Sequence, residues 1–245
     1  MSTDNPYSPP QAEVRDQIPS SEAGGMLEDG IAGRYELDIG EIIKESWERT
    51  SGLKGPFWGA GVIVLAILMA LGFMLGAITG QQPDPVVAII FQIVIQAVAY
   101  LIMVGFVMLG VKRSVDLPIS FKMVFGYFAF TVPILIAAAL TSVLTMVGMI
   151  LLIIPGIYLA VAYMLTLPLI VEKKLGVWAA MEASRKAITH KWFQVFGLFL
   201  ALIVIVLISA IPFGIGLIWT YPMMIAAIGI VYREIFGVEE ARATA

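Results

Sequence analysis

Three long stretches of this chain, 55–111, 123–171 and 192–232, contain one charged residue between them, Asp84. A helix needs about 20 residues to cross a bilayer. Stretches of 57, 49 and 41 residues are each too long for one crossing and suit two. Each also carries a break near its middle: Gly80-Gln81-Gln82-Pro83-Asp84-Pro85, the softer point at Gly148, and Pro212-Phe213-Gly214-Ile215-Gly216. In hydrocarbon every backbone N–H and C=O must find an internal partner, which leaves helices or closed barrels. Unbroken apolar runs without polar alternation select helices. The expected fold is therefore all-α, a polytopic membrane helical bundle. It has six transmembrane helices as three hairpins, at about 57–79, 86–110, 124–146, 149–170, 193–211 and 217–235.

Composition agrees. Hydrophobic residues make up 60% of the chain and charged ones 13%, at a mean hydropathy of +0.93. Soluble domains are about half apolar and a quarter charged. A net charge of −3 argues against a nucleic-acid partner. With no cysteine there is no disulfide framework, thiol nucleophile or Cys-based metal site. The first 55 residues hold no apolar run of the cleavable-signal type, so the first span is expected to act as its own signal.

Orientation follows from the basic residues. Three Lys/Arg fall at 112–122 and five at 173–191, in the two short loops on one side of the six-span arrangement. The positive-inside rule places both termini in the cytoplasm. Trp47, Trp58, Trp178 and Trp192 fall near that inner interface, and Trp219 alone is expected outside.

The division read from composition is a disordered cytoplasmic tail at 1–30, an amphipathic interfacial helix at 31–54, a transmembrane domain at 55–238 and a C-terminal tail at 239–245. Asp38 is placed to cap the amphipathic helix, with Glu41 three residues on. In the tail, Asn5, Pro6, Tyr7, Pro9 and Pro10 form a Pro-rich piece expected to favour the extended form that protein partners bind. The competing reading is a plain solubilising tail. The second helix of each hairpin ends in Val-Lys-Arg (111–113), Val-Glu-Lys (171–173) or Val-Tyr-Arg (231–233), sixty residues apart each time. That spacing suggests a threefold use of one hairpin unit.

Intramembrane ionisable groups usually mark transport or catalysis, and the spans hold none. Gln92, Gln96 and Tyr100 share a helix face and are the candidate polar cavity, although glutamines also bond neighbouring helices. Lys173, Lys174, Arg185, Lys186 and Lys191 are candidate contacts to lipid headgroups or a partner. Gly72, Gly76 and Gly80 permit close helix approach, expected inside the bundle rather than in a dimer. Asp84 and the single His190 read as solvated residues. No phosphate loop, dinucleotide fingerprint, metal-ligand spacing or nucleophile–base pair appears, so an enzyme is not expected, nor a cofactor.

Pro155-Gly156-Ile157-Tyr158, Glu172, Ala180-x-x-x-Ser184, Trp192 and Gly197 resemble the signature of an uncharacterised group of bacterial six-helix integral-membrane proteins. That group is related to the membrane domain fused to some glycerophosphodiester phosphodiesterases. The resemblance covers about 35–238. It implies a bacterial inner-membrane protein, and no catalytic residues, because the phosphodiesterase barrel is absent. The favoured function is a non-enzymatic scaffold or regulator binding membrane lipids and, through the tail, a protein partner. The alternative is a transporter or channel for a small neutral or amphipathic solute.

Overall fold

The computed structural model describes residues 24–80 and 84–243, and among them it is helical throughout, with no strand. The helices are α1 (Leu27–Ile31), α2 (Ile39–Thr79), α3 (Pro85–Arg113), α4 (Thr131–Leu151), α5 (Ile153–Ala162), α6 (Thr166–Glu172), α7 (Val177–His190), α8 (Trp192–Ala210), α9 (Leu217–Phe236) and α10 (Glu239–Ala243). Among the described residues five segments are long and apolar enough to cross a membrane: Ile39–Ala77, Pro85–Arg113, Phe121–Leu151, Ile153–Glu172 and Trp192–Ala210. The sixth expected span, α9, packs along both α2 and α3. Ala226, Ala227, Ile230, Val231, Tyr232, Ile235 and Phe236 are buried on it. A helix surrounded by protein need not be as apolar as one facing lipid.

The amphipathic segment and the first span are one helix of 41 residues rather than two. Asp38 caps it as expected, its side chain accepting from Glu41 N at 2.9 Å. Pro56 lacks the N–H that would bond back to Gly52. Packing carries the helix through, because Ile42, Ser46, Thr50, Leu53 and Ala60 form one buried stripe across the proline. The segment expected as an interfacial helix at 31–54 is instead a turn at 32–33, chain without regular structure over 34–38, and the base of a rod from Ile39 onward. The tail boundary also moves. Residues 24–31 belong to the folded body, with Gly25 N donating to Arg233 O at 2.9 Å and Gly30 buried.

α3 and α9 meet backbone to backbone. A Cβ added at Gly110 would lie 2.1 Å from Ile225 O, and one at Gly229 would lie 2.1 Å from Gly110 C. Gly72, Gly76 and Gly80 behave differently, having no atom within 4 Å of an added Cβ. The expectation that they pack inside the bundle is thus corrected, and they lie on an open face. Gly72→Ala and Gly76→Ala should leave stability unchanged or raise it by up to about 1 kcal/mol, through helix propensity alone. Thermal melts of the purified variants check this.

Depth is not shared equally among the hairpins. Among the described residues none is buried on α2 beyond Ala60 or on α3 before Leu101, so this hairpin projects from the body by about 28 Å. The α8–α9 hairpin is shorter in reach, since Trp58 Nε1 donates to Ile218 O at 3.0 Å and Lys54 Nζ lies 5.6 Å from the Trp219 ring centroid. The start of α9 is therefore level with the base of the first expected span, not with its far end. The α4–α5 hairpin lies alongside α7: Ser184 Oγ donates to Ala162 O at 2.7 Å, and the Tyr158 and Thr189 hydroxyls are 2.6 Å apart. As read from sequence, Tyr158 belongs to the fourth span and Thr189 to an inner loop.

Candidate functional site

The three helix ends sixty residues apart in sequence come together in space. Arg233, at the end of α9, reaches α2 through a two-pronged pair with Glu45 (Nη1–Oε1 2.6 Å, Nη2–Oε2 2.8 Å) and donates to Ser114 O just past α3. Arg49, one turn on from Glu45, donates to it at 2.5 Å, and to Arg113 O and Asp116 Oδ2 at 2.7 and 2.9 Å. Next to this, buried Tyr232 donates to Glu172 Oε2 at 2.8 Å. Glu172 Oε1 accepts from Glu239 N at 2.6 Å, tying the end of α6 to α10. These groups form a collar around one end of the bundle. Burial alone would raise the pKa of Glu45, but the bonds from Arg233 and Arg49 outweigh it and hold the carboxyl below its ordinary value.

Sequence reasoning picked none of the collar residues as functional. The available signal was the sixty-residue recurrence of a Val-x-Arg or Val-x-Lys ending, which marks the three chain positions that converge here.

The expected basic contacts separate into three groups. Lys173 turns inward, its side chain 2% exposed, between Glu172 (3.5 Å) and Glu239 (3.4 Å). Arg185 and Lys186 both pair with Glu182, at 2.8 and 3.3 Å. The bonded guanidinium of Arg185 holds Glu182 below the usual carboxylate range. Lys174 is exposed, and Lys191 lies 5.4 Å from the Tyr35 ring centroid. Neither of these two pairs with a carboxylate among the described residues. α7 is two-faced, with Ala180, Met181, Ser184 and Ile188 inside and Lys186 and Thr189 outside.

The expected polar cavity is not assembled. Gln92 and Gln96 sit on the open face of α3, whereas Tyr100 is half-buried with its hydroxyl 3.0 Å from Ser142 Oγ. Tyr100 lines a cleft of about 410 Å³ with Thr141, Ser142, Thr145 and Tyr163. Asn5, Pro6, Tyr7, Pro9 and Pro10 lie outside the described residues.

Two further clefts flank the start of α8. One, of about 480 Å³, is acidic, with Glu36, Asp38, Glu41, Glu45 and Glu234 on its walls beside Lys191 and Arg233. The other, of about 860 Å³, runs between the α4–α5 turn and the α7–α8 junction. Among the described residues no group of three or more His, Asp or Glu could hold a metal ion.

Compared with protein-family models, curated proteins and solved structures, the chain matches none. What the site defines by itself is a class: a helical, membrane-embedded protein whose helix ends are joined by a collar of hydrogen-bonded and charged side chains.

Proposed function

We propose that this chain is a non-catalytic scaffold or regulator of a bacterial inner membrane, with both termini cytoplasmic, that engages membrane lipid and a protein partner. It is read as a relative of the six-helix family that its Pro-Gly-Ile-Tyr and Ala-x-x-x-Ser motifs resemble. The observation that carries this reading is the cross-linking of the inner helix ends. Arg233, at the end of α9, bonds to Glu45 on α2 and to Ser114 O in the turn after α3. Among the described residues the polar groups there serve to tie helices together.

Six crossings is the count that the lengths of the apolar stretches suggest. The contacts support a different division, in which α2–α3 crosses fully and the other two hairpins dip in from the cytoplasmic side and return. Only the α2–α3 turn has a polar sequence, Gln81-Gln82-Pro83-Asp84. The turns at Leu151–Ile154 and Ile211–Ile215 are apolar and carry some of the most exposed side chains, including Ile154 at 80% and Phe213 at 102%. Unpaired backbone in such turns is tolerated where protein or the interface supplies partners. Both divisions return the C-terminus to the cytoplasm.

Single cysteines test this cleanly in a cysteine-free chain. Asp84→Cys should react with an impermeant maleimide in intact cells, Lys186→Cys only after lysis, and Phe213→Cys in neither until detergent is added. Outside labelling of Phe213→Cys would restore three full hairpins. Labelling of Lys186→Cys in intact cells would overturn the orientation.

The Tyr100–Ser142–Tyr163 cleft favours a second reading, a conduit for a small neutral or amphipathic solute. Proteoliposome uptake decides between them: saturable uptake abolished by Ser142→Phe would replace the scaffold reading.

A further inference from the structure

The groove of about 860 Å³ between the α4–α5 turn and the α7–α8 junction is built in two parts. Ile154, Pro155 and Phe193 form an apolar end, with Ile154 80% and Phe193 83% exposed. At the other end stand Lys191 and Gln194, with His190 behind them. Among the described residues no carboxylate lines it. His190 Nε2 donates to Ile31 O at 3.2 Å, so that nitrogen is committed to the chain. The walls are fixed from both sides. Trp192 stacks on Phe196 at 4.9 Å with an 8° interplanar angle and donates to Tyr158 O at 3.3 Å, while the Tyr158 hydroxyl meets Thr189.

From this we infer that the groove is a glycerophospholipid site. The phosphodiester lies against the Lys191 ammonium and the Gln194 amide, and one acyl chain runs over Phe193, Ile154 and Pro155. The site rests on the membrane reading above. Three features select this occupant. The cation has no carboxylate partner among the described residues, and phosphate oxygens supply the missing acceptor. The apolar end begins within three residues of that cation, which matches a ligand whose charge and chain are joined covalently. Basic pockets between transmembrane helices on the cytoplasmic side are known to hold the phosphate headgroups of anionic lipids.

The acidic cleft refines the specificity. Lys191 and Gln194 line it as well, so Glu36, Asp38 and Glu41 stand in the adjoining cleft. Their charge attracts a headgroup ammonium and so offsets the preference of a cationic site for net anionic lipid. Recognition is therefore of the phosphodiester, not of net anionic charge.

The full chain in detergent, titrated with dioctanoyl phosphatidylglycerol, dioctanoyl phosphatidylethanolamine and dioctanoylglycerol and read by native mass spectrometry, tests this. The two phospholipids should bind within about threefold of each other, and the phosphate-free lipid about tenfold or more weaker. Lys191→Gln should weaken both phospholipids about tenfold, and Lys191→Arg should restore them. Phe193→Ala, on an exposed side chain, should weaken them several-fold at an unchanged melting temperature. Equal binding of dioctanoylglycerol, or wild-type binding by both Lys191→Gln and Phe193→Ala, would overturn the site. Cysteine labelling reports the membrane arrangement independently, so the site can fail while that arrangement stands.

Discussion

Replacing Arg233 with methionine should lower the stability of the bundle by about 2–3 kcal/mol, seen as a fall in melting temperature of the purified protein. Removing one partner of a well-enclosed pair leaves the other charge desolvated and uncompensated, at about 3–5 kcal/mol when burial is complete. Glu45 keeps its bond from Arg49 and is part exposed, which places the expected loss at the low end. Glu45→Gln together with Arg233→Met should cost less than the two single changes added, because the variants share one interaction. Strict additivity would show that the collar does not act as a unit. The pH dependence has a defined sign. The folded-state pKa of Glu45 is depressed, so its contribution is present above the ordinary carboxylate value and is lost as pH falls through the folded value. The stability gap between wild type and Arg233→Met should therefore narrow on acidification below the ordinary carboxylate range. A gap that widens there would remove Glu45 as the partner that matters.

Gly229→Leu should have the larger effect and prevent accumulation of folded protein. At this crossing the neighbour of the missing Cβ is main chain, Gly110 C at 2.1 Å, which cannot rotate aside as a side chain can. Overpacking a core ordinarily costs about 1–3 kcal/mol, and a clash with backbone forces α3 and α9 apart along their whole contact. Gly110→Ala should already cost more than about 2 kcal/mol, measured by denaturation in detergent. Wild-type stability of Gly110→Ala would mean that the helices cross elsewhere. The contrast with Gly72 and Gly76 is internal to the same protein: identical chemistry, opposite surroundings.

Helical content and the membrane setting were legible because they depend on apolar run length, which sequence carries directly. Depth was only partly legible. The polar turn at 81–84 sets one hairpin apart locally, and the proposed division otherwise rests on long-range pairs such as Trp58 with Ile218 and Tyr158 with Thr189. The continuity of α2 was hidden for the same reason: Pro56 reads as a stop until the buried stripe on both sides of it is known. Lys173 illustrates the limit for charge. It sits in a basic run, yet the carboxylates that draw it inward come from positions 172 and 239.

The unbroken α2 has a mechanical consequence. Its 41 residues make a stiff beam about 60 Å long, gripped by the body only along its lower part. Taking Leu53 as the pivot, the outer arm is nearly twice the length of the inner one. A tilt of about 10° moves the outer tip by about 7 Å and the Ile39 end by about 3–4 Å, on the rise of 1.5 Å per residue. Nearer the pivot, at Glu45, the shift is about 2 Å, still large against hydrogen bonds of 2.6 and 2.8 Å. The lever arm thus carries a lateral displacement of the outer tip to the Glu45–Arg233 pair that joins α2 to α9.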